Sequence, residues 1–283
     1  MYYLRLADSI LEIETSEQFE IAENMKHFFV EQADGCTVAA RYKVYIDKEL
    51  QVIPEKVKYY SQNLLVFEKD FCEYRIHFFP GTNIPTAYSC ETSSGIIEIH
   101  MLEQAFPKHE MNLMFLETLA LEKIFLMQDS LVLHSSYVIY KDKAILFSAP
   151  SGTGKSTQAD LWKRYKGAEI INGDRSILKL TGNTVQSHGI PFCGSSKINL
   201  NKSAPLAGIF LIEQAPENTI EKCSPAQAIR KIYSECSINH WNPNSIETAF
   251  QIIEKIVNRV PVYQFKCNIS EEAVNLVHRE LFE

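Results

Sequence analysis

A run of small and hydroxyl-bearing residues that ends in a lysine is the part of this sequence best suited to bind phosphate. It reads Ser-Ala-Pro-Ser-Gly-Thr-Gly-Lys-Ser-Thr over residues 148–157 and follows the apolar segment 144–147. Its glycines let the backbone turn so that several N–H groups face one ligand, and a helix that begins at the lysine adds the partial positive charge of its N-terminus. These residue types and this spacing suit the binding of a nucleoside triphosphate.

Each residue of this motif has its own task. Lys155 brings a full positive charge to the β- and γ-phosphates, the Ser156 hydroxyl is placed to bind Mg²⁺, and Thr157 supports the α- or β-phosphate. The usual motif begins with glycine where this chain has Ala149, and Pro150 removes one N–H donor, so a loop that binds nucleotide without turnover stays open. The predicted nucleotide-binding residues are Ser151, Gly152, Thr153, Gly154, Lys155, Ser156 and Thr157.

A phosphotransferase also needs a carboxylate near its metal ion. Asp174 is the leading candidate, because it comes just after the predicted strand 168–172, which we expect beside the strand that leads into the phosphate-binding motif. Glu169 and Asp160 are rivals, but Glu169 opens that strand and Asp160 lies on the predicted helix. The residues around Asp174 also spell an ordinary Asn-Gly-Asp turn, so its assignment depends on the motif upstream.

Two further features are candidates for the site. His134 lies on the apolar strand that precedes the motif, where a buried structural histidine is the alternative interpretation. The segment 188–196 is rich in Gly, Pro and Ser and could frame an acceptor or an anion through its backbone N–H groups, although it also suits an ordinary connection. The candidate substrate-binding residues are His188, Gly194 and Ser195.

The elements that position these residues follow from the hydrophobic pattern. The first hundred residues consist mostly of short strand-like runs, whereas strands and helices alternate in the second half. Residues 111–127 are apolar nearly all round, which predicts one buried helix. Residues 156–166 predict the helix after the motif, closed by Gly167. We therefore expect an α/β fold with a β-rich N-terminal region, 1–108.

Composition excludes several classes of protein. The apolar fraction of 46% and the net charge of -7 exclude a disordered chain. The balance of 35 acids against 28 bases argues against a nucleic-acid partner. No run of about 18 apolar residues predicts a membrane helix, and the N-terminus lacks the pattern of a signal peptide, so we expect a cytoplasmic protein with no membrane partner. Seven cysteines without a C-x-x-C pair argue against a disulfide framework or a zinc site.

From about residue 131 to residue 214 the sequence resembles the HPr kinase/phosphorylase superfamily. The resemblance is carried by His134 on the strand before the motif, by Ser-Gly-Thr-Gly-Lys-Ser at 151–156, and by the short spacing from Lys155 to Asp174. The family usually shows two consecutive acids at that strand end, and this chain has Gly173 at the first of them. The motif is also similar to that of ATP-dependent phosphoenolpyruvate carboxykinase, a related fold whose further substrate and metal motifs this chain lacks.

This resemblance implies an α/β P-loop kinase core of the HPr kinase/carboxykinase type over residues 109–283. It implies a phosphotransferase that uses ATP and Mg²⁺ to phosphorylate a serine-type hydroxyl of a protein or peptide. Asp174, Lys155 and His134 would be the catalytic residues, and Ser156 and Asp174 would bind the metal ion. The resemblance also points to a homo-oligomer, because HPr kinases assemble as oligomers.

Two other functions stay open at this point. The altered start of the motif and the single acid favour a nucleotide-binding regulatory or scaffold protein with little turnover. A small-molecule kinase of carboxykinase-like fold would be favoured by a closed polar pocket, whereas a peptide kinase needs an open groove or an exposed strand edge. The sequence names neither the acceptor nor the base of the nucleotide, since no residue that reads adenine stands out.

Overall fold

β-Branched and aromatic residues recur throughout the first hundred positions, a composition typical of strands. The computed structural model describes residues 1–33, 35–106 and 109–283, and in it most of these hundred residues lie in strands. The chain divides into two compact units, Met1–Ile124 and Phe125–Glu283. The elements of the first 126 residues are β1 (Tyr2–Leu6), β2 (Ser9–Thr15), β3 (Glu20–Ile21), β4 (Phe29–Val30), β5 (Thr37–Asp47), β6 (Lys56–Tyr60), β7 (Leu64–Lys69), β8 (Cys72–Phe78), β9 (Pro85–Glu91), β10 (Ile96–Leu102), β11 (Glu110–Met111), α1 (Leu113–Thr118) and α2 (Leu121–Leu126).

The first unit is built on one long sheet with the strand order β4-β1-β2-β5-β10-β9-β8-β7-β6. Strand β5 runs parallel to both of its neighbours, β2 and β10. The buried Arg75 guanidinium of β8 contacts Glu73 at 2.8 Å and Glu122 at 2.5 Å, so its charge is paired inside the unit. Strands β1 to β10 account for most of the first hundred residues.

Two short helices stand where the sequence predicts one helix over residues 111–127. The chain breaks after α1 at Leu119, and Ala120 adopts the left-handed conformation with φ +51°. The Leu119 carbonyl accepts a hydrogen bond of 2.8 Å from the Tyr42 hydroxyl of β5, while the N–H of Lys123 turns to the Ala120 carbonyl. Hydrophobic periodicity carries no sign of such a donor from a distant strand, so the break could not be read from the pattern.

The second unit alternates strands and helices, as the sequence predicts. Its helix α3 closes on Gly167 in the left-handed conformation, with φ +68°, and its helix α4 begins with a capping box between Ser224 and Gln227. The elements are β12 (Ser130–Tyr140), β13 (Lys143–Ser148), α3 (Lys155–Lys166), β14 (Glu169–Asn172), β15 (Arg175–Thr181), β16 (Thr184–His188), β17 (Ser203–Gln214), β18 (Thr219–Lys222), α4 (Pro225–Glu235), α5 (Pro243–Val257), β19 (Val262–Cys267) and α6 (Glu271–Phe282).

The long strands β12 and β17 are each shared by two sheets. The first half of β12 pairs with β15, and its second half pairs with β13 and β14. In the same way the start of β17 pairs with β16, and its remainder lies parallel to β13 and β19. One sheet therefore runs β14-β12-β13-β17-β19-β18, and the other runs β12-β15-β16-β17.

Alternate residues of β13 face two different cores. Ile145 and Phe147 pack with the apolar faces of α3 and α6, whereas Ala144 and Leu146 pack with those of α4 and α5. The central sheet is therefore covered by helices on both faces, and this accounts for its nearly continuous apolar strands. Together the elements form a mixed α/β fold. None of the helices among the described residues combines the length and the apolar composition that a bilayer-spanning segment requires.

The sequence analysis made one prediction about the neighbour of β14 and one about the domain boundary. The strand before Asp174, β14, was expected beside β13, but it pairs with β12, which lies between them. The reason is the tight turn at Lys141 and Asp142, both with positive φ, which folds β12 back onto β13 and occupies that edge, while β17 occupies the other. The boundary predicted between residues 108 and 109 falls beside Pro107 and Lys108, which lie outside the described residues, and it stays a prediction.

We expect the substitution Phe147→Ala to destabilise the second unit by about 3–5 kcal/mol, because it opens a cavity in a closed core. The Phe147 ring is fully buried, with its centroid 5.9 Å from that of Phe210 and 6.4 Å from that of Trp162. Urea unfolding followed by tryptophan fluorescence measures this unit, since both tryptophans, 162 and 241, lie within it. The control Phe250→Ala removes a ring that is 41% exposed and should cost less; equal losses would contradict the assignment of the core.

Candidate functional site

The loop after β13 has the backbone that the phosphate-binding motif predicts. Gly152 has φ +80° and Gly154 has φ +107°, and a Cβ built on either would meet nothing within 4 Å. Glycine is therefore required at these two positions by the backbone conformation and not by crowding. Helix α3 begins directly after this turn, and no side chain caps its N-terminus. Its first N–H groups, which a helix leaves without internal partners, are free to meet an anion.

Lys155 lies folded under this loop, with 6% of its surface exposed. Its Nζ donates hydrogen bonds to the Ala149 carbonyl at 2.8 Å and to the Pro150 carbonyl at 3.2 Å. Burial lowers the pKa of the Lys155 ammonium, and the nearby negative charges of Glu235 and Asp174 oppose that shift. Pro150 lacks an N–H donor, and the sequence analysis counted this as a loss. Its carbonyl nevertheless helps to hold Lys155.

Buried serine hydroxyls tie the loop to the neighbouring strands. The Ser136 hydroxyl of β12 donates to the Lys155 carbonyl at 2.8 Å, and the Ser148 hydroxyl of β13 donates to the His134 carbonyl at 2.8 Å. The hydroxyls of Ser135 and Ser176 lie 2.7 Å apart. Because buried polar groups are costly unless they are paired, these contacts fix the start of α3 against β12.

A fully buried asparagine shapes the turn that presents Asp174. The Asn172 side-chain oxygen accepts from the N–H groups of Asp174 at 2.8 Å and Arg175 at 2.9 Å. Its side-chain nitrogen donates to the carbonyls of Ile190 at 2.8 Å and Phe192 at 2.6 Å. One side chain therefore uses its full hydrogen-bonding capacity to join the Asp174 turn to the 188–196 segment.

The 194–196 turn packs directly against Asp174 and the residue before it. A Cβ at Gly173 would lie 2.2 Å from the Ser196 hydroxyl oxygen and 2.5 Å from the Ser196 Cβ. A Cβ at Gly194 would lie 3.0 Å from the Asp174 Cβ. The space that a side chain at position 173 would need is therefore filled by Ser196, and this explains why glycine stands before Asp174 in this chain.

Three charged or titratable side chains face Asp174: His134, Arg175 and Lys155. Its carboxylate lies 3.5 Å from His134 Nε2 and 3.3 Å from Arg175 Nε, and the other ring nitrogen of His134 lies 3.3 Å from the Glu235 carboxylate. His134 holds the pKa of the Asp174 carboxyl below its usual value, with Arg175 and Lys155 acting in the same direction against its partial burial. Asp174 is thus an ionised carboxylate at the mouth of the site, 26% exposed.

An apolar cleft of about 440 Å³ adjoins the loop. Gln158 of α3 lines it and donates to Cys267 Sγ and to the Asn268 carbonyl, both at 3.2 Å. Among the described residues, the side-chain oxygens of Gln158 and Asn268 are buried without a hydrogen-bond partner. The lining residues are Thr153, Gly154, Thr157, Gln158, Ile212, Gln214, Ala215, Pro216, Cys267, Asn268 and Ile269.

The structure brings together Lys155, Ser156, Asp174 and His134 from three parts of the chain. The Ser156 hydroxyl donates to the carbonyl of Gly173, one residue before Asp174, at 3.2 Å. The rival acids lie elsewhere: Glu169 is exposed and pairs with Lys202 at 2.7 Å, and Asp160 is exposed on α3. These positions agree with the predicted site, while the roles of its residues stay predictions.

The candidate substrate residues are dispersed. Gly194 contacts Asp174 as described, but His188 is 5% exposed inside β16, paired with Ile177 and Ser203. The Ser195 side chain lies outside the described part of the structure. Within the described ranges, no three His, Cys, Asp or Glu side chains converge as a metal-binding group. Mg²⁺ does not require such a cage, since it commonly binds one or two carboxylates, phosphate oxygens and water.

The sequence analysis did not find Glu235 or the cleft. It also missed the hydrogen bonds by which Asn172 joins the Asp174 turn to the 188–196 segment, and the packing of Ser196 against Gly173. Glu235 had one visible signal, because a carboxylate at the end of a helix opposes the helix dipole and needs a partner. The cleft had no such signal, since its lining comes from three segments, 153–158, 212–216 and 267–269, each about fifty residues from the next.

Comparisons with known proteins give a family and a distant structural neighbour. A family model described as "SynChlorMet cassette protein ScmC" matches residues 102–282, well over half of the chain. No curated protein matches. Among solved structures, the HPr(Ser) kinase/phosphatase from Coxiella burnetii aligns with 11% identity and a TM-score of 0.31, covering 53% of this chain and 95% of that one. A likeness of that size fixes neither the fold nor the activity of this chain.

We expect Gly173→Ala to destabilise the protein by about 1–3 kcal/mol, because the new Cβ overlaps Ser196 and displaces the 194–196 turn. The double variant Gly173→Ala with Ser196→Gly should recover most of the loss, since Ser196→Gly removes both overlapping atoms. Chemical denaturation of the single and double variants measures the recovery. A loss that is the same in both variants would show that Ser196 is not the obstacle.

Proposed function

The chain belongs to the ScmC family, and we propose that it is an ATP- and Mg²⁺-dependent kinase that transfers the γ-phosphoryl group to a serine-type hydroxyl of a protein or peptide. The observation that carries this proposal is the buried Lys155 ammonium beneath a glycine loop, at the uncapped N-terminus of α3. A buried cation beside a helix N-terminus is a site for a highly charged anion.

The loop supplies the partners that a triphosphate needs. The N–H groups at the start of α3 bind phosphate oxygens, and Lys155 exchanges its contacts with the carbonyls of Ala149 and Pro150 for the more negative β- and γ-phosphate oxygens. A charged partner offsets the burial that lowers the pKa of Lys155. The lysine is therefore already in place before nucleotide binds.

Two oxygen ligands support a magnesium site. The Ser156 hydroxyl lies at the start of α3, and its hydrogen bond to Gly173 links it to the turn that carries Asp174. Ser156 and Asp174 would hold Mg²⁺ together with phosphate oxygens and water, and the ion would supply further charge neutralisation. The low pKa of Asp174 suits this role, since a metal ligand must be ionised.

The cleft beside the loop is the proposed site of the nucleotide base. Thr153, Gly154 and Thr157 form the wall that it shares with the phosphate-binding region. Apolar residues such as Ile212 and Ile269 line the rest together with polar side chains. An apolar slot next to the phosphates suits a flat heteroaromatic ring. The nucleotide would then lie across the N-terminus of α3.

Asp174 lies on the side of the site where the acceptor would enter. Its carboxylate accepts the proton of the acceptor hydroxyl as that oxygen bonds to the γ-phosphorus and the bond to the β–γ bridging oxygen breaks. Lys155 stabilises the charge on the leaving phosphate. The 194–196 turn, in contact with Asp174, frames the acceptor.

We expect Lys155→Ala to abolish phosphoryl transfer and to weaken ATP binding, because it removes the cation that the loop holds through the Ala149 carbonyl. The matched control is Lys163→Ala, which removes an exposed lysine from the same helix. Nucleotide binding by calorimetry and γ-phosphoryl release, each with and without Mg²⁺, measure the two effects. Equal activity of both variants would contradict the proposed phosphate site.

We expect Asp174→Asn to keep the fold and ATP binding but to lose turnover, by about 10²-fold or more, because the base and a metal ligand are lost together. Asp160→Asn, on the exposed face of α3, is the control and should behave as wild type. Near-normal turnover of Asp174→Asn would refute the assignment of this acid. ATP binding without any turnover in the wild-type protein would favour a regulatory nucleotide-binding protein.

We expect Ala215→Trp to block the base by filling the cleft, and so to weaken ATP binding by about 10-fold or more while inorganic triphosphate still binds. The control Ala226→Trp places the same side chain at an exposed position of α4. Competition of each variant with a fluorescent nucleotide measures the change. Unchanged ATP affinity in Ala215→Trp would exclude this cleft as the base site.

A further inference from the structure

Arg175 is a charged residue of the site to which the proposed function assigns no task. It is the first residue of β15 and lies directly opposite His134 of β12 in the antiparallel pairing. Residues that lie opposite each other in such a pair project their side chains from the same face of the sheet. The guanidinium Nε of Arg175 lies 3.3 Å from the Asp174 carboxylate. A permanent positive charge therefore stands beside the acid at which the proposed transfer takes place.

The plane of the Arg175 guanidinium is fixed by an aromatic ring. Its central carbon lies 4.5 Å from the ring centroid of Phe192, a residue that is 7% exposed. Asn172 holds both partners, since its side chain accepts from the Arg175 N–H at 2.9 Å and donates to the Phe192 carbonyl at 2.6 Å. An arginine stacked on a ring keeps the nitrogens at the edge of its plane free to donate. The stack therefore orients the guanidinium and leaves its hydrogen-bonding edge open.

The protein does not use this edge for itself. Among the described residues, Asp174 is the one acid within ion-pair distance of Arg175, and the contact is made through Nε alone. Neither terminal nitrogen of Arg175 makes a hydrogen bond within the described ranges, and the side chain is 37% exposed. An arginine that serves only to neutralise an acid is frequently bidentate, with two nitrogens on the carboxylate. The two terminal nitrogens are available to an anion from outside the protein.

The anion that must pass this place is the γ-phosphoryl group. In the proposed transfer the acceptor oxygen gives its proton to Asp174 while it bonds to the γ-phosphorus, so the phosphoryl group moves beside that carboxylate. The terminal nitrogens of Arg175 are two bonds beyond the Nε that contacts Asp174. An acidic side chain of the acceptor could also bind there, but an acceptor need not carry one, whereas every transfer brings the phosphoryl group past Asp174.

The loop leaves room for such a donor. Pro150 has no N–H, so the loop offers one donor fewer than the usual motif. Lys155 comes from α3 and is held beneath the loop, whereas Arg175 comes from β15. The two cations therefore reach the site from different elements and can stabilise charge on different phosphate oxygens.

We propose that Arg175 is a catalytic residue that donates its terminal N–H groups to the γ-phosphoryl oxygens during transfer. This inference rests on the proposed function. The acceptor oxygen bonds to phosphorus, its proton goes to Asp174, and the electron pair of the broken bond leaves with the bridging oxygen of the nucleoside diphosphate. Arg175 takes no part in the proton transfer. It stabilises the charge on the group being transferred, as Lys155 stabilises the charge on the leaving phosphate.

The first test uses a mimic of the phosphoryl group in transfer and needs no acceptor. Aluminium fluoride, added to ADP and Mg²⁺, takes the place of that group. We expect the wild type to bind ADP at least about 10-fold more tightly when aluminium fluoride is present. Arg175→Ala should lose most of that gain while it binds ADP alone within about twofold of the wild type, and Arg175→Lys should keep only part of the gain, because an ammonium lacks the planar fork of donors.

The matched control is Arg164→Ala. It removes an exposed arginine of α3 that is also stacked on an aromatic ring, with 5.2 Å from its central carbon to the ring centroid of Tyr165. This variant should keep the whole gain from aluminium fluoride. Thermal melting shows that the variants are folded; if Arg175→Ala does not fold, Arg175→Lys carries the test through its reduced gain.

The outcomes separate this role from the kinase function itself. If the wild type gains from aluminium fluoride and Arg175→Ala gains as much, the role of Arg175 is overturned and the kinase function stands. If the wild type binds ATP but gains nothing and releases no γ-phosphoryl group, both are refuted. A structural ion pair with Asp174 would lower the melting temperature of Arg175→Ala without a selective loss of this gain.

The second test is kinetic and uses water as the acceptor. We expect Arg175→Ala to lower kcat for γ-phosphoryl release by about 10²-fold or more with the KM for ATP changed by less than about threefold, because the contact is made to the group in transfer. Release at the wild-type rate in Arg175→Ala would overturn the proposal and leave this edge to an acidic side chain of the acceptor.

Discussion

Strand β12 has to satisfy the backbone hydrogen bonds of two sheets, and the candidate site lies where it passes from one to the other. At this point the His134 carbonyl accepts a hydrogen bond from the Ser148 hydroxyl, and the Ser135 N–H donates to the Asp174 carbonyl. The Ser136 hydroxyl donates to the carbonyl of Lys155, the first residue of α3. The end of α4 joins through Cys236, which bridges to Leu133. The elements that carry Lys155, Asp174 and Glu235 are therefore fastened to residues 133–136 beside His134, so a shift of β12 would move them together.

The charged groups of the site already stand in the positions that the proposed phosphoryl transfer requires before a ligand binds. The Lys155 ammonium is held by backbone carbonyls, which are weaker partners than phosphate oxygens, and the Asp174 carboxylate is kept ionised by His134 and by the nearby cations. The single acid at the end of β14 is matched by a second, Glu235, which reaches the same histidine from α4. A preorganised arrangement of this kind reduces the reorganisation that phosphoryl transfer requires, because the groups that stabilise the developing charge are already in place.

Several features of the fold could be predicted because they depend on neighbours in sequence. The loop glycines, the Gly167 cap and the Ser224 capping box all follow from local backbone preferences, and each is present. The predictions that were wrong depend instead on contacts between residues that are distant in sequence. The neighbour of β14 depended on which strand edges were already occupied, and the break at Leu119 depended on a hydroxyl from β5. Position 173 looked like a missing acid, and only the packing of Ser196 shows that no side chain fits there.

The sequence by itself determined the strand, glycine loop and helix around Lys155, and with them the phosphate chemistry to expect, because a loop conformation and a helix start are set by residues within a few positions of one another. The sequence named Asp174 and His134 as candidates, but only the tertiary structure decided that they lie together near that lysine and that Glu235 joins them. The contact between His134 and Glu235, 101 positions apart, depends on strand order and on the packing of α4 against β12. Local backbone preferences do not determine contacts between residues that are far apart in sequence. Those contacts are set by the way two sheets share strand β12.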